Sequence, residues 1–325
     1  MSDVAGNRYP VAFRFEVARP TEPDKMAIPH KPRPVRLTLE TQMIRQFSDA
    51  ELNELREFYE EHGAVQLKGL LDPRDAARVL EIADEMAERA DEERAAGSDL
   101  SFGRASGRMT IRYMWREVPE VRDFLLRAEL SKALAKIVGS KQLRFWFDLT
   151  FFHNGGSNGD VGDGTAWHHD IAAFAFKGEM LPSLWMALTP ATAETSRLMF
   201  IDGSHKNVPG FFRPPTTNPD QSDGMLDILD YDALIAEGKE KILTWDCEPG
   251  DALIIHPYTI HGAAGNDGSG KRRVAITTRW LGDDVRWLPT NGQGVNMPGL
   301  REANLALGSR PKGDYFPLVY DDAAA

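Results

Sequence analysis

From residue 143 the chain alternates strictly, with Leu143, Phe145, Phe147, Leu149 and Phe151 apolar at every second position. A period of two puts those side chains on one face of an extended segment, so this stretch is a β-strand with a buried side. Strand-like runs recur at 184–189, 197–201, 242–246, 252–256 and 273–281, with Gly, Pro, Asn and Asp between them. The first half reads differently. Ser48 and Glu51 form a capping box that opens a helix, and Leu52, Leu55, Phe58 and Tyr59 keep helical spacing up to His62-Gly63. Ala64–Leu67 is a short strand. Asp72-Pro73 opens a second helix with Val79, Leu80, Ala83 and Met86 on its apolar stripe. Its continuation AERADEERAAG is charged and solvated, and a further helix runs from Ser131 to about Val138, ended by Gly139. Helices followed by many strands predict an α+β chain, mostly β, in which a sandwich or barrel is braced by N-terminal helices.

The organisation that follows is an extended, proline-rich arm over 1–46 and one domain over 47–325. That domain comprises a helical part (47–140), a strand-rich core (141–285) and a C-terminal extension (286–325), with no internal repeat. Two loops stand out. NGGSNGDVGDG (154–164) places Asp160 near Asp163 but lacks the ligand order of a calcium loop, and reads as a substrate-access loop. Residues 206–224 are a long irregular insertion of the kind that often binds or covers a ligand.

Charge and composition exclude several classes of function. The 325 residues carry a net charge of −11, and no Lys/Arg stripe interrupts it, which excludes a phosphate backbone as partner. A lone cysteine, Cys247, rules out a disulfide framework and a multi-cysteine zinc site. No apolar run approaches the roughly 18 residues of a membrane span, and the first residues show no signal peptide, so a cytoplasmic location is expected.

The chemistry is concentrated in Thr165-Ala166-Trp167-His168-His169-Asp170. On extended backbone, residues i and i+2 share a side, so His168 and Asp170 converge on one ion while His169 turns away. The segment PGDALIIHPYTIHGAAGN supplies His256 and His261. Two imidazoles and a carboxylate leave half of an octahedron open, the arrangement for an iron(II) centre that takes up a co-substrate and oxygen. Arg273 follows twelve residues after His261 and opens the strand RVAITTRW. Its planar donor fork suits a dicarboxylic co-substrate, and alternation sends Arg272 to the opposite face.

Together these segments resemble the phytanoyl-CoA dioxygenase family of iron(II)/2-oxoglutarate oxygenases. The matching elements are EEHGAVQL, Trp167-His168-His169-Asp170, Trp185–Leu188, Gly203-Ser204-His205-Lys206, Gly250-Asp251 and His261…Asn266…Arg273, spread over roughly residues 47 to 281. The resemblance implies a double-stranded β-helix (a jelly-roll barrel) with iron held by His168, Asp170 and His261, and 2-oxoglutarate anchored by Arg273. It places Trp185 beside the co-substrate, where a plain core role is the alternative. It leaves His169 either touching 2-oxoglutarate or serving as an outer donor. His256 is expected to be structural, and His205 to hydrogen-bond within its own turn.

The chain departs from the family at three places: His169 stands where glutamine is usual, Thr195-Ser196-Arg197 replaces Asn-Gly, and His153 replaces lysine. Asp170 supplies the carboxylate that a halogenating relative would lack. Phe152, Phe174 and Phe176 are candidates for an apolar pocket or for core. Arg104, Arg108 and Arg112 are expected on a solvated helix face, with an anionic substrate as the alternative use of one of them.

The function expected is therefore oxidation of a small organic molecule with oxygen and 2-oxoglutarate. The substrate reads as an unesterified metabolite, since no CoA-phosphate signature is present. Two other readings share the metal ligands: a metal-binding sensor or scaffold without turnover, and a cupin-type enzyme that does not use 2-oxoglutarate. Arg273 discriminates against both.

Overall fold

The computed structural model describes residues 44–98, 100–105, 108–154, 164–213, 224–266, 270–289, 297, 300 and 303–323, all within the unit Pro34–Ala325. Most of the expected N-terminal arm (1–43), the core of the 154–164 loop with Asp160 and Asp163, and residues 214–223 of the long insertion lie outside them.

The helices start where the sequence supplies caps. In α1 (Asp49–His62) the Ser48 hydroxyl accepts from the Glu51 amide at 3.3 Å while the Glu51 carboxylate accepts from the Ser48 amide at 2.8 Å. Gly63 ends the helix at φ 78°, and a side chain there would collide with Thr259 and His205. The strand β1 (Ala64–Leu67) follows at once. Asp72 caps α2 (Pro73–Glu88), whose buried stripe of Val79, Ile82, Ala83 and Met86 lies on the core. The solvated continuation holds α3 (Ala90–Ala95).

Residues 101–112 are a correction to the helical reading. They form the antiparallel strands β2 (Ser101–Ala105) and β3 (Arg108–Arg112), so Arg108 and Arg112 sit on a strand and not on a helix face. Three helices come next: α4 (Met114–Glu117), α5 (Pro119–Leu125) and α6 (Ala128–Val138). The last begins three residues earlier than predicted, because Leu130 extends its buried stripe towards the N-terminus.

The remaining strands are β4 (Gln142–His153), β5 (Thr165–His168), β6 (Phe176–Lys177), β7 (Ser183–Ala187) and β8 (Leu198–Ile201). After α7 (Tyr231–Ala236) come β9 (Ile242–Thr244), β10 (Ala252–Ile255), β11 (His261–Ala263), β12 (Arg273–Leu281), β13 (Arg286–Trp287) and β14 (Leu318–Asp321).

Two antiparallel sheets face each other, as in a jelly roll. The larger has the order β1-β10-β7-β12-β4-β3-β2, with β14 also on β4, and the smaller runs β5-β11-β8-β9. The hairpin from the expected helical part and the final strand of the expected C-terminal extension are both members of the large sheet. β3 pairs with residues 149–153 of β4, and β14 takes over at residues 142–144. Alternation then sorts the side chains. Leu184, Met186, Ile254, Val274, Ile276 and Trp280 belong to the core beneath the helices, whereas Trp185, Leu253, Ile255 and Ala275 meet Leu198, Phe200 and Ala263 of the small sheet. Edge-to-face aromatic pairs, Trp146 on Phe176 and Phe145 on Trp280, both at 5.0 Å, add to the larger of these cores.

Candidate active site

His168 ends β5 and His261 begins β11; the two are direct cross-strand partners, with ring centroids 4.2 Å apart. His169 stays extended at φ −122° and ψ 144°, which returns Asp170 to the side of His168 before a single 3-10 turn, Asp170–Ala173. Asp170 Oδ1 lies 3.9 Å from His168 Nε2 and 4.0 Å from His261 Nε2. One ligand atom from each residue falls within 4.8 Å of the others. Each histidine donates Nδ1–H to a carbonyl two residues back, His168 to Ala166 at 2.8 Å and His261 to Thr259 at 2.9 Å. Those bonds select the tautomer whose Nε2 lone pair faces the centre.

Asp170 is aimed from behind. Its Oδ2 accepts from Ser183 Oγ at 2.7 Å and from Arg279 Nη2 at 2.9 Å, leaving Oδ1 for the centre. Burial pushes this carboxyl up, but the charges of Arg279, His261 and His168 and the Ser183 hydrogen bond outweigh it and hold the group well below the usual carboxylate range. Burial, joined by the charge of His168, takes His261 down to about 4, so it is neutral at pH 7. Neutral imidazoles plus an ionised, pre-aimed carboxylate form a fitting donor set for iron(II). Sequence reasoning missed Ser183 and Arg279. Arg279 shares inward parity with Arg273 in RVAITTRW, but no sequence signal says that Asp170 lies opposite it.

Arg273 opens β12 on the inward face and is 2% exposed, while Arg272 turns outward into a two-bond pair with Asp84 at 2.8 and 2.7 Å. The Arg273 guanidinium donates to the Ser196 carbonyl and lies 5.9 Å from the Trp185 ring. Its Nε is buried without a partner among the described residues, and no carboxylate pairs with it. Burial and the charge of Arg108 lower it to about 10. A buried, unneutralised guanidinium is costly unless an anion arrives, so this one fits the far carboxylate of a 2-oxo dicarboxylic acid. His153, in the register row of Arg273, is buried and pushed down to about 3 by burial and by Arg273 and Arg108, so it adds no charge.

Ser196 explains one departure from the family pattern. It takes φ 70°, the left-handed conformation that glycine favours, and its hydroxyl donates to the Ala264 carbonyl. The neighbouring Thr195 hydroxyl accepts from the Thr192 amide at 2.8 Å and donates to the Pro190 carbonyl at 3.0 Å.

His169 points away from the centre. Its Nε2 accepts the Phe212 amide at 2.9 Å and its ring packs 5.2 Å from that of Phe212. The proton therefore sits on Nδ1, which has no partner among the described residues. His256 packs on His205 and Tyr59, with ring centroids at 4.8 and 5.8 Å, outside the cluster. His205 does not bond within its own turn as expected: its Nε2 lies 3.1 Å from the Glu60 carbonyl of α1. The hydroxyl of Ser204, in the same turn, accepts from the Ile260 amide. Of the three phenylalanines singled out, Phe152 and Phe176 are core, and Phe174 lies under the Arg279 guanidinium at 5.5 Å. A surface groove of about 450 Å³, lined by Phe47, Phe58 and Trp245, includes none of these residues and runs along β1 instead.

The family model of phytanoyl-CoA dioxygenase (PhyH) matches residues 59–274, about two thirds of the chain and all of the site except Arg279. The chain belongs to the phytanoyl-CoA dioxygenase family. Members of that family are non-haem iron enzymes that use 2-oxoglutarate. A curated family relative, "Probable phytanoyl-CoA dioxygenase" from Caenorhabditis elegans, is 27% identical over 151 residues. That alignment covers 46% of this chain and 44% of the relative. Two solved structures share the fold. The α-ketoglutarate-dependent epimerase SnoN from nogalamycin biosynthesis has TM-score 0.64 and 22% identity, covering 84% of this chain and 99% of its own. The carbocyclase SnoK from the same biosynthesis has TM-score 0.62 and 18% identity, covering 82% and 95%.

Proposed function

We propose that this family member is an iron(II)- and 2-oxoglutarate-dependent dioxygenase that oxidises a small organic molecule. The observation that carries the reading is the convergence of His168 Nε2, Asp170 Oδ1 and His261 Nε2 in one barrel with an unneutralised Arg273. His168, Asp170 and His261 are the metal ligands in this reading. Arg273 holds the far carboxylate of 2-oxoglutarate, with Trp185 beside it. When bound, iron and 2-oxoglutarate supply the oxidising chemistry, in which oxygen, 2-oxoglutarate and a C–H bond give succinate, carbon dioxide and the oxidised product.

The protein's own part is placement. Ser183 and Arg279 fix the face that Asp170 presents, and the carbonyls of Ala166 and Thr259 fix the imidazole tautomers. Phe200, Phe174 and Trp185 are buried beside His261, Arg279 and Arg273 respectively, and keep bulk water from the reacting groups. Asp170 occupies the position that a halogenating enzyme would leave to chloride, which favours hydroxylation and related C–H oxidations. The uncompensated charge of Arg273 favours this reading over a sensor or an oxoglutarate-independent cupin enzyme. No helix among the described residues is long and apolar enough to cross a membrane.

Incubation with iron(II), ascorbate and 2-oxoglutarate in air tests the reaction. Succinate should form and be abolished by chelator and by His261→Ala. Wild-type succinate no greater than that of the variant would contradict the proposal.

A further inference from the structure

The inward positions of β3, β4, β7 and β12 carry four guanidiniums (Arg108, Arg112, Arg273 and Arg279) and no carboxylate. Asp170 answers Arg279. On the reading proposed above, the two positive charges of iron and the two negative charges of 2-oxoglutarate cancel. With Arg273 on the far carboxylate of 2-oxoglutarate, Arg108 and Arg112 remain inside the barrel with no carboxylate partner among the described residues. Arg273 and Arg108 stand in one row, both paired with His153 across β4, so they serve the co-substrate end. Arg108 is further tied to the Gly164 carbonyl at 3.0 Å.

Arg112 is different. It lies four residues, two repeats of the pleat, further along β3, in the row of Leu149, whose other neighbour is Thr277. It is only partly buried, and its side chain makes no hydrogen bond or ion pair among the described residues. Burial lowers its pKa, and its charge is felt at Arg279, behind the Asp170 carboxylate. A guanidinium held close to the metal ligands, open on one side and unpartnered, is a built receptor lacking its anion.

We propose that Arg112 binds a carboxylate of the substrate, so that the enzyme acts on a small organic acid. The proposal rests on the iron/2-oxoglutarate reading and names its substrate class. Arg112 offers a single planar fork, which matches one carboxylate. A phosphate monoester, at about −1.5 to −2 charges, would call for a second cation at the same point. The apolar inward neighbours Leu149 and Phe151, with Phe174 beside Arg279, supply a wall for a hydrocarbon body between the acid group and the metal ligands. Arg112 stands two strands away from Thr277, roughly 10 Å across the sheet. The class of reaction that supplies the substrate therefore leaves a free acid, such as thioester or ester hydrolysis.

The test uses the full chain loaded anaerobically with iron(II) and 2-oxoglutarate, and reads perturbation of the visible band by butyrate, octanoate, benzoate and 4-phenylbutyrate. Their primary amides and phenyl phosphate serve as counterparts. At least one acid should bind about tenfold or more tightly than its amide, and Arg112→Gln should remove that difference while Arg112→Lys keeps part of it. The dissociation constant for 2-oxoglutarate should stay within about twofold of wild type in both variants, because Arg273 holds that ligand. A second readout is independent of the metal: the preferred acid should raise the melting temperature of metal-free wild type but not of Arg112→Gln.

Equal binding of acids and amides, preference for phenyl phosphate, or no binding of any acid would overturn the proposal. So would a tenfold loss of 2-oxoglutarate affinity in Arg112→Gln, which would make Arg112 a co-substrate contact. A wild-type protein that shows no band before any acid is added would remove the iron/2-oxoglutarate reading itself, a failure seen at a different step.

Discussion

Replacing Ser183 by alanine tests whether Asp170 works because it is aimed. Asp170 Oδ2 has two donors, Ser183 Oγ at 2.7 Å and Arg279 Nη2 at 2.9 Å, and the variant deletes the first. Ser183 lies in β7, 1% exposed, and its backbone pairing with Ile255 and Arg279 does not involve the hydroxyl. The fold should therefore persist, with a stability loss of about 1 kcal/mol. Without that bond the carboxylate can rotate about its last torsion, and the oxygen facing His168 and His261 is no longer fixed. Losing an outer partner of a metal ligand typically weakens metal binding about 10–100-fold, or about 1.4–2.7 kcal/mol. The assay is iron(II) affinity by anaerobic chelator competition, alongside 2-oxoglutarate affinity at saturating iron. The first should fall by that factor and the second should be unchanged. Iron affinity within twofold of wild type would refute the argument that Ser183 orients Asp170.

Arg279→Met should cost the metal-free protein about 3–5 kcal/mol, because it leaves Asp170 buried without a countercharge, and iron should stabilise this variant more than wild type in thermal unfolding. Ser196→Gly should stabilise the fold by about 1 kcal/mol by relieving the left-handed backbone at φ 70°, read by urea denaturation; a loss of stability would show that the hydroxyl bond to Ala264 dominates. His169→Gln keeps an acceptor for the Phe212 amide and should retain stability, whereas His169→Leu leaves that amide unpaired and should lose about 1–3 kcal/mol. Burial lowers Lys177 to about 7, so between that pH and its unfolded value near 10 the unfolded chain binds more protons. Stability should accordingly rise with pH across that window by up to about 1.4 kcal/mol per pH unit, a slope that Lys177→Met should lack.

Much of the site was legible in the chain because strand parity is a strict rule. It separates His168 and Asp170 from His169, and Arg273 from Arg272, and the structure places all five accordingly. The capping box at Ser48 and the glycines at 63 and 139 mark helix ends for the same local reason. What escaped depends on which segments meet. Ser183 and Arg279 matter only because β7 and β12 bring them behind Asp170, a non-local fact. The hairpin of residues 101–112 was hidden by its neighbourhood. It follows a charged helical run, and its second strand has only Met109 and Ile111 as alternating apolar residues. β5 and β11 are too short, at four and three residues, to show a period, so their histidines were found by chemistry before their strands were. His205 illustrates the limit again, since its partner lies on α1, far away in sequence.

The most direct test of the central claim is anaerobic titration of iron(II) and 2-oxoglutarate into metal-free protein, followed by visible absorption. The account predicts a charge-transfer band that requires both additions, is absent in His168→Ala, and needs far more 2-oxoglutarate in Arg273→Ala. A folded wild-type protein that binds iron but gives no band, or a band indifferent to Arg273→Ala, would contradict it.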